Sequence, residues 1–472
     1  MISNVLSRFS INALSSTKCL LMIRLATWLI LVILLPVTSF AQWKNLFDGT
    51  SLTGWKQLGG KAEYKVADGM IVGSAVANTP NSFLVTEVEY GDFILEADIK
   101  IEDTFNNSGI QTRSHYDPAG NDGKGRVYGR QVEVDPSSRS WTGGIYDEGR
   151  RQWLYPLSLN EAARSYFKVG EFNKFRIECV GNEMVTYVNN KVVAYVADTI
   201  DQSGFIALQV HSINNPQHEG SKVYFKNVRI NTSKPKLSKP DRNIFVVNLQ
   251  PNQLTSYEKS GGWKLLFDGK TSNGWRSARS NAFPAKGWQI ENGNLNVLPA
   301  EGKESANGGD IITTDKFSAF DLSFSFNISP GGNSGVKYFV TLQEQTDGSA
   351  IGLEYQVLDD SLHPDAKLGI AGNRTLASLY DLIKAEKQTR FIRQPGQWNN
   401  GRIVVYPDNK VEHYLNGVKV LEYQRNSEEY RKLVANSKYK IWPNFGEARE
   451  GHILLQDHGD KVSFRNIKVR RL

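Results

Sequence analysis

The chain has 472 residues and a formal net charge of +7, yet its basic and acidic residues are interspersed along the whole sequence. A nucleic-acid surface needs clustered cations with stacking platforms on one face, so that class of partner is excluded and the charge reads as solvated surface. With only two cysteines, Cys19 and Cys179, the chain cannot be a disulfide-stapled scaffold.

In chain order, the first element is an address. Lys18 and Arg24 precede an apolar run from Leu25 to Val37, and Ser39-Phe40-Ala41 supplies a small-x-small cleavage signal. The run is short for a membrane span, so residues 1–41 are expected to be a signal peptide cut after Ala41. The mature protein is then secreted or periplasmic, with no membrane span. Cys19 leaves with the signal, and Cys179, in the alternating stretch Phe175 to Val180, reads as a small buried apolar residue.

The mature chain is a repeat. Trp43-Lys44-Asn45-Leu46-Phe47-Asp48-Gly49, closing at Gly54-Trp55, returns as Trp263-Lys264-Leu265-Leu266-Phe267-Asp268-Gly269, closing at Gly274-Trp275. The offset, 263 − 43 = 220 residues, fits whole domains rather than a solenoid unit. Further phrases recur in the same order: Asn107-Ser108-Gly109-Ile110 and Asn333-Ser334-Gly335-Val336, then Leu208-Gln209-Val210-His211 and Leu455-Gln456-Asp457-His458. The expected organisation is a first domain over 42–231, a Pro- and Lys-rich linker over 232–260 with one short strand within 243–249, and a second domain over 261–472.

Within each half, apolar and polar residues alternate with period two, as in Phe93 to Lys100 and Asp321 to Ile328, with Gly, Asn and Asp in the gaps. Asn189 and Asn416 read as hairpin turns. Helical periodicity is confined to Asp381–Glu386 and Ser427–Ala435. The fold class is therefore all-β: two tandem antiparallel β-sandwich domains of jelly-roll type. The tryptophans and phenylalanines of the repeated phrase (Trp43, Phe47, Trp55, Trp263, Phe267 and Trp275) are assigned to the cores.

A curved sandwich collects polar residues on its concave sheet. The strand around Gln131, Glu133 and Asp135 places these three on one face. Its counterpart offers Glu354 and Gln356, with carboxylate and amide in swapped order. Gln209 and His211 share a face, as do Gln456 and His458, and a histidine kept with its glutamine in both copies points to a site. Arg113 and Lys337 follow the Asn-Ser-Gly turn, and Tyr146 and Tyr380 occupy matching loops as aromatics suited to sugar C–H faces. The histidine spacings His211…His218 and His452…His458 are too irregular for a metal motif. Calcium held by loop carboxylates would leave no spacing signature, so no cofactor is assigned.

Leu-Phe-Asp-Gly…Gly-Trp, Asn-Ser-Gly-Ile/Val, Glu354-Tyr355-Gln356-Val357-Leu358-Asp359-Asp360, Pro395-Gly396-Gln397-Trp398-Asn399, His413-Tyr414-Leu415-Asn416-Gly417, Leu454-Leu455-Gln456-Asp457-His458-Gly459 and Phe464-Arg465-Asn466-Ile467 together resemble the 3-keto-disaccharide hydrolase family. The resemblance covers both halves. It implies concanavalin-A-like sandwiches and an exported enzyme whose partner is a carbohydrate, a 3-keto-glycoside. The first half departs from the pattern: Gly396-Gln397-Trp398-Asn399 becomes Gly170-Glu171-Phe172-Asn173, His413 becomes Thr186, Asp457 becomes Val210 and Arg465 becomes Lys226.

A 3-keto group acidifies the C2 proton, so one base can start elimination of the C1 substituent, and water then adds back. The expected bases are His458, Glu354, His211 and Glu133. Lys337, Arg113, Tyr146 or Tyr380, or else a divalent metal, would stabilise the oxyanion, with Gln356, Gln456, Gln131 and Gln209 binding hydroxyls. The competing expectation is a tandem lectin-like module that binds glycans without chemistry.

Overall fold

The computed structural model describes residues 43–342, 350–389 and 392–472; the expected signal peptide lies outside them. Among the described residues, strands 43–248 form a nine-stranded and a seven-stranded sheet, and strands 264–471 an eight-stranded and a five-stranded sheet. All named strand pairs are antiparallel except Lys191–Ala197 with Val247–Asn248. Each core lies between its two sheets. Leu95 and Ile99 of one sheet pack with Ile110 and Val132 of the other, and Phe324 and Phe326 pack with Val336 and Tyr355. Cys179 is buried in the first core, as expected.

The repeated phrase is explained by one local device used twice. Trp55 Nε1 donates to Leu46 O at 2.7 Å, and Trp275 Nε1 to Leu266 O at 2.6 Å. Asp48 Oδ1 accepts the N–H groups of Thr50 and Ser51, both at 2.7 Å, while Asp268 Oδ1 accepts those of Lys270 and Thr271 at 2.8 and 2.7 Å. Such Asx turns satisfy backbone donors where the chain enters a sheet. Phe47, Trp55, Phe267 and Trp275 are buried, whereas Trp43 and Trp263 are only half-buried, so those two frame the cores rather than fill them.

Other departures between the halves prove to be compensated. Arg465 lies over the Trp398 ring at 3.9 Å, and Lys226 lies over Phe172 at 3.8 Å, so the cation–π pair changes both members together. His413 Nδ1 bonds Ala377 O at 3.0 Å, and Thr186 Oγ1 donates to Gly143 O at 2.7 Å. Both side chains thus hold the loop that begins three residues before Tyr380 and Tyr146.

The segment 232–260 is more ordered than a bare linker. Val247–Asn248 is a strand, and Ser256–Ser260 is a short helix with a Thr255–Glu258 capping box. Tyr155 Oη donates to Phe245 O at 3.2 Å, Ser256 Oγ donates to Glu183 at 2.7 Å, and Lys468 is paired with Glu258. Residues Lys44–Leu472 accordingly pack as one compact unit. A helix forms at Glu428–Ala435, as the periodicity predicts. None forms over 381–386: Asp381 takes φ 60° and Leu379 bridges Ile383, so a tight turn replaces it. Asn189 and Asn416 do take the left-handed turn conformation, at φ 51° and 50°.

His413 supplies a test of the second core. Burial pushes its imidazole down to about 4, with the bond to Ala377 O opposing, and Nε2 lies 2.9 Å from Tyr338 Oη. The unfolded chain takes up the proton near pH 6.5 while the folded chain does not. Stability from this residue is therefore complete above that pH and is lost as pH falls toward about 4. Melting temperatures of wild type should drop across this window, and His413→Gln should show a shallower drop from a lower starting value.

Candidate active site

The smaller sheet of the second sandwich builds a cavity of about 240 Å³. Its floor is set by strand register. On adjacent strands Asn333–Thr341 and Ile351–Leu358, Lys337 stands directly opposite Glu354, and Gly335 opposite Gln356. Side chains two residues apart on a strand share a face, so Lys337, Glu354 and Gln356 all reach the cavity. Lys337 Nζ lies 4.0 Å from Glu354 Oε2. The Gln356 amide orientation that satisfies its neighbours has its NH₂ donating to Glu354 Oε1 at 3.1 Å and Ser334 O at 3.3 Å. Gln456 and His458 enter from the strand on the other side, His452–Leu455 and the turn after it.

Two excursions complete the walls. Tyr380 is held by its N–H on Glu354 O at 3.0 Å and donates its hydroxyl to Asp365 at 2.7 Å. Lys438, Tyr439 and Trp442 come from the segment between the strands ending at Gln424 and beginning at His452. The corresponding connection in the first sandwich runs only from Ala197 to Phe205. Glu304 arrives on a third loop, held because the buried Asp457 accepts the N–H groups of Gly308 and Gly309 at 3.1 and 2.9 Å. Val210, its first-half counterpart, has no acceptor in its side chain.

Electrostatics follow from burial and neighbours. Burial pushes the Glu354 carboxyl above its ordinary value, and Lys337 and Lys438 oppose without cancelling it. For Lys337, burial acts to lower the pKa, but Glu354, Asp310 and Glu304 outweigh it and hold the ammonium above its usual range. Lys438 is pushed down, by burial first and by nearby Lys337 and Arg374 as well. The site therefore holds one firmly charged lysine, one labile lysine and one carboxyl of raised basicity.

The first sandwich keeps the frame and changes the chemistry. Gln111 pairs with Gln131 where Lys337 pairs with Glu354, and Gly109 pairs with Glu133 where Gly335 pairs with Gln356. Carboxylate and amide thus exchange places at two positions of matching register. The side chains interlock: Ser114 Oγ donates to Gln111 at 2.7 Å, Gln111 to Gln131 at 3.0 Å, Gln131 to Glu133 at 3.0 Å, and Asn107 to Glu133 at 2.7 Å. Burial raises Glu133, and burial together with the Glu133 charge pushes Glu148 up to about 7. Tyr146 lies on the strand Ile145–Glu148 opposite Gln131, not in a loop. Its ring is 5.2 Å from Trp153, which is 4.7 Å from Trp141.

Gln209 is fully buried, and His211 Nδ1 is bonded to Ser212 O at 2.8 Å. Arg113 has a different task from the one expected. It sits in a left-handed bulge at φ 46° and spends its guanidinium on Gly91 O, Gly181 O and Asp92 at 2.7–2.9 Å, which closes the sheet edge.

A larger cleft of about 740 Å³ lies between the sandwiches, lined by Trp141, Trp153 and Trp398 among others. Two of its cations are already paired: Arg151 with Asp147 and Asp198, Lys468 with Glu258. It presents no acid–base pair comparable to Lys337–Glu354 among the described residues.

Of the residues expected at a site, the second half's Lys337, Glu354, Gln356, Tyr380, Gln456 and His458 converge on one cavity. Glu304, Asp310, Lys438, Tyr439 and Trp442 were not legible. For Lys438, Tyr439 and Trp442 the one signal is the long connection before His452, which has no first-half partner of that length.

These two sandwiches define a protein built on a duplicated polar-faced β domain with a sugar-sized cavity. The family model of the 3-keto-alpha-glucoside-1,2-lyase-like domain matches residues 42–231 and 262–470, and the chain belongs to that family. It is 40% identical over 232 residues to a protein of Bacteroides thetaiotaomicron named 3-keto-disaccharide hydrolase, covering 45% of this chain and 79% of that one. Two solved Parabacteroides distasonis proteins, provisionally named glycosyl hydrolases, are also similar. One is 31% identical over 47% of this chain and 100% of its own, with a TM-score of 0.42; the other is 26% identical over 44% and 99%, with a TM-score of 0.34.

The glycines at the crossing points give a test. A Cβ on Gly335 would fall within 3.0 Å of Glu354 Cγ, and one on Gly109 within 2.6 Å of Gln131 Cγ. Gly335→Ala should displace the Glu354 carboxylate and lower turnover of a 3-keto-glycoside on the order of 100-fold, the scale of a misplaced catalytic group. Gly109→Ala should leave turnover near that of wild type, with both variants checked for folding by circular dichroism.

Proposed function

We propose that the protein is an exported enzyme that cleaves 3-keto-glycosides in the cavity of its second sandwich, with Glu354 as base and Lys337 as oxyanion stabiliser. The observation that carries this reading is the opposed Lys337–Glu354 pair on the cavity floor, which the first sandwich replaces with two glutamines. Family membership supports the substrate class, and the apolar run before Ala41 supports export. No helix among the described residues is long and apolar enough to cross a membrane.

In the proposed reaction the Glu354 carboxylate takes the C2 proton, and the electron pair moves onto the C3 carbonyl oxygen. The enolate oxygen gains its stabilisation from the Lys337 ammonium in a site largely shielded from water. Collapse of the enolate expels the C1 oxygen, which takes a proton from Lys438, the lysine whose pKa burial lowers. Water then adds at C1 and a proton returns to C2, so the net change is hydrolysis. Gln356, Gln456 and Tyr439 are placed to bind the remaining sugar oxygens.

The first sandwich favours a second reading for its own half, namely sugar binding without cleavage. Its glutamine floor lacks the cation, while Trp141, Trp153 and Tyr146 form an aromatic cluster with Arg139 over both tryptophans at 5.0 and 5.1 Å.

The enolate route is tested by solvent isotope incorporation. Turnover of a 3-keto-glucoside in D₂O should place deuterium at C2 of the released keto sugar and of recovered substrate when C1 cleavage is slow. Product free of deuterium at C2 throughout turnover would rule out proton abstraction there.

A further inference from the structure

His363, His458 and Asp460 stand together beside the cavity that His458 lines, all three half-buried, with one potential ligand atom of each lying within 4.8 Å of the others. They arrive from two separate loops. His363 is fixed by its N–H on Asp359 O at 3.0 Å, and Asp359 is itself anchored by the Gly331 and Ser361 amides at 2.8 and 3.0 Å. His458 and Asp460 flank Gly459, which takes φ 83° and approaches Lys303 so closely that no side chain fits. That reversal brings both neighbours to one place. Asp460 Oδ2 is oriented by the Asn333 N–H at 3.0 Å, and His458 Nδ1 is buried with no hydrogen-bond partner. The two imidazoles stand edge to face, 6.1 Å between centroids.

We propose that His363, His458 and Asp460 bind one divalent first-row transition-metal ion beside the cavity. Two imidazoles and one carboxylate, with positions left open to solvent and to the cavity, are the donor set such ions take. Metal–ligand distances near 2.0–2.2 Å require the three side chains to close by rotations on the order of 1 Å. Each imidazole must carry its proton on the nitrogen facing away from the ion. If His363 ligates through Nε2, the long 3.2 Å bond that Nδ1 accepts from the Asp365 amide gives way. The first sandwich has no such site: the residues after His211 are Ser212 and Ile213, where the second has Gly459 and Asp460. Resting on the reading above, the ion's open positions would take the neighbouring carbonyl and hydroxyl oxygens of the keto sugar, fixing the ring over Glu354.

The test reads metal, not activity. Zn²⁺ is titrated calorimetrically into chelator-stripped protein, with Ca²⁺ and Mg²⁺ as controls. One Zn²⁺ per chain is expected, with affinity lowered at least tenfold in His363→Ala and Asp460→Asn and unchanged in His211→Ala. Ca²⁺ and Mg²⁺ should bind far more weakly, because imidazole nitrogen suits transition ions. Co²⁺ added to the wild-type chain should give visible d–d absorption, which requires no variant to fold. No saturable Zn²⁺ binding, two equivalents per chain, unchanged affinity in both ligand variants, equal affinity for Ca²⁺, or a Co²⁺ spectrum identical to the ion in buffer would each overturn the proposal. Loss of keto-glycoside cleavage with Zn²⁺ binding intact would count against the catalytic reading alone.

Discussion

The second sandwich is organised around an ion pair placed where charge is expensive. Lys337 and Glu354 face each other across two strands of a sheet, their side chains 14% and 5% exposed. Removing either would leave its partner buried without the opposite charge facing it, a change that typically costs about 3–5 kcal/mol where no other charge compensates. The surroundings are arranged to tolerate the pair: Gln356 donates to the carboxylate, and Asp310 and Glu304 add negative charge about the ammonium. A fold does not need such a pair for stability, since matched apolar residues would serve as well or better. Glutamines occupy the same two positions in the first sandwich and satisfy each other at 3.0 Å, so the frame stands without the charges. Stability therefore does not account for the pair, and this is the ground for the catalytic role proposed for it.

Around that pair, duplication separates frame from function. Features shared by both halves are structural: the Trp–Leu carbonyl bond, the Asx turn, the bulge after the Asn-Ser-Gly strand, and the cation–π contact that exchanges Lys–Phe for Arg–Trp. Features found once are the ones that enclose the cavity. Asp457 organises the Glu304 loop, and the excursion before His452 supplies Lys438, Tyr439 and Trp442. One half thus has a walled cavity with labile protons, and the other an aromatic-edged polar face.

What the sequence made legible follows from periodicity. Alternation places Gln131 with Glu133 and Glu354 with Gln356 on shared faces, because side chains on a strand repeat every two residues. Turn residues such as Asn189 and Asn416 announce themselves by their tolerance of positive φ. Alternation fails at bulges: Arg113 itself takes the left-handed conformation at φ 46° and turns to the sheet edge, although by spacing it belonged to the face. It also fails in loops, where Glu304, His363 and Lys438 carry no periodic signal and are brought in by backbone hydrogen bonds to Asp457, Asp359 and Asp381. The residues 381–386 resembled a helix by composition, yet Asp381 is needed there to accept from Arg374 and the Lys438 amide, and the chain turns instead.

The central claim is that the second sandwich performs the reaction through Glu354 while the matching face of the first does not. The most direct measurement is aglycone release from a chromogenic 3-keto-glucoside by the whole protein carrying Glu354→Gln or Glu133→Gln. The account predicts a fall of about 10²–10⁴-fold for Glu354→Gln, the range for loss of a general base, and near wild-type rates for Glu133→Gln. Full activity in Glu354→Gln, or collapse in a folded Glu133→Gln, would contradict it.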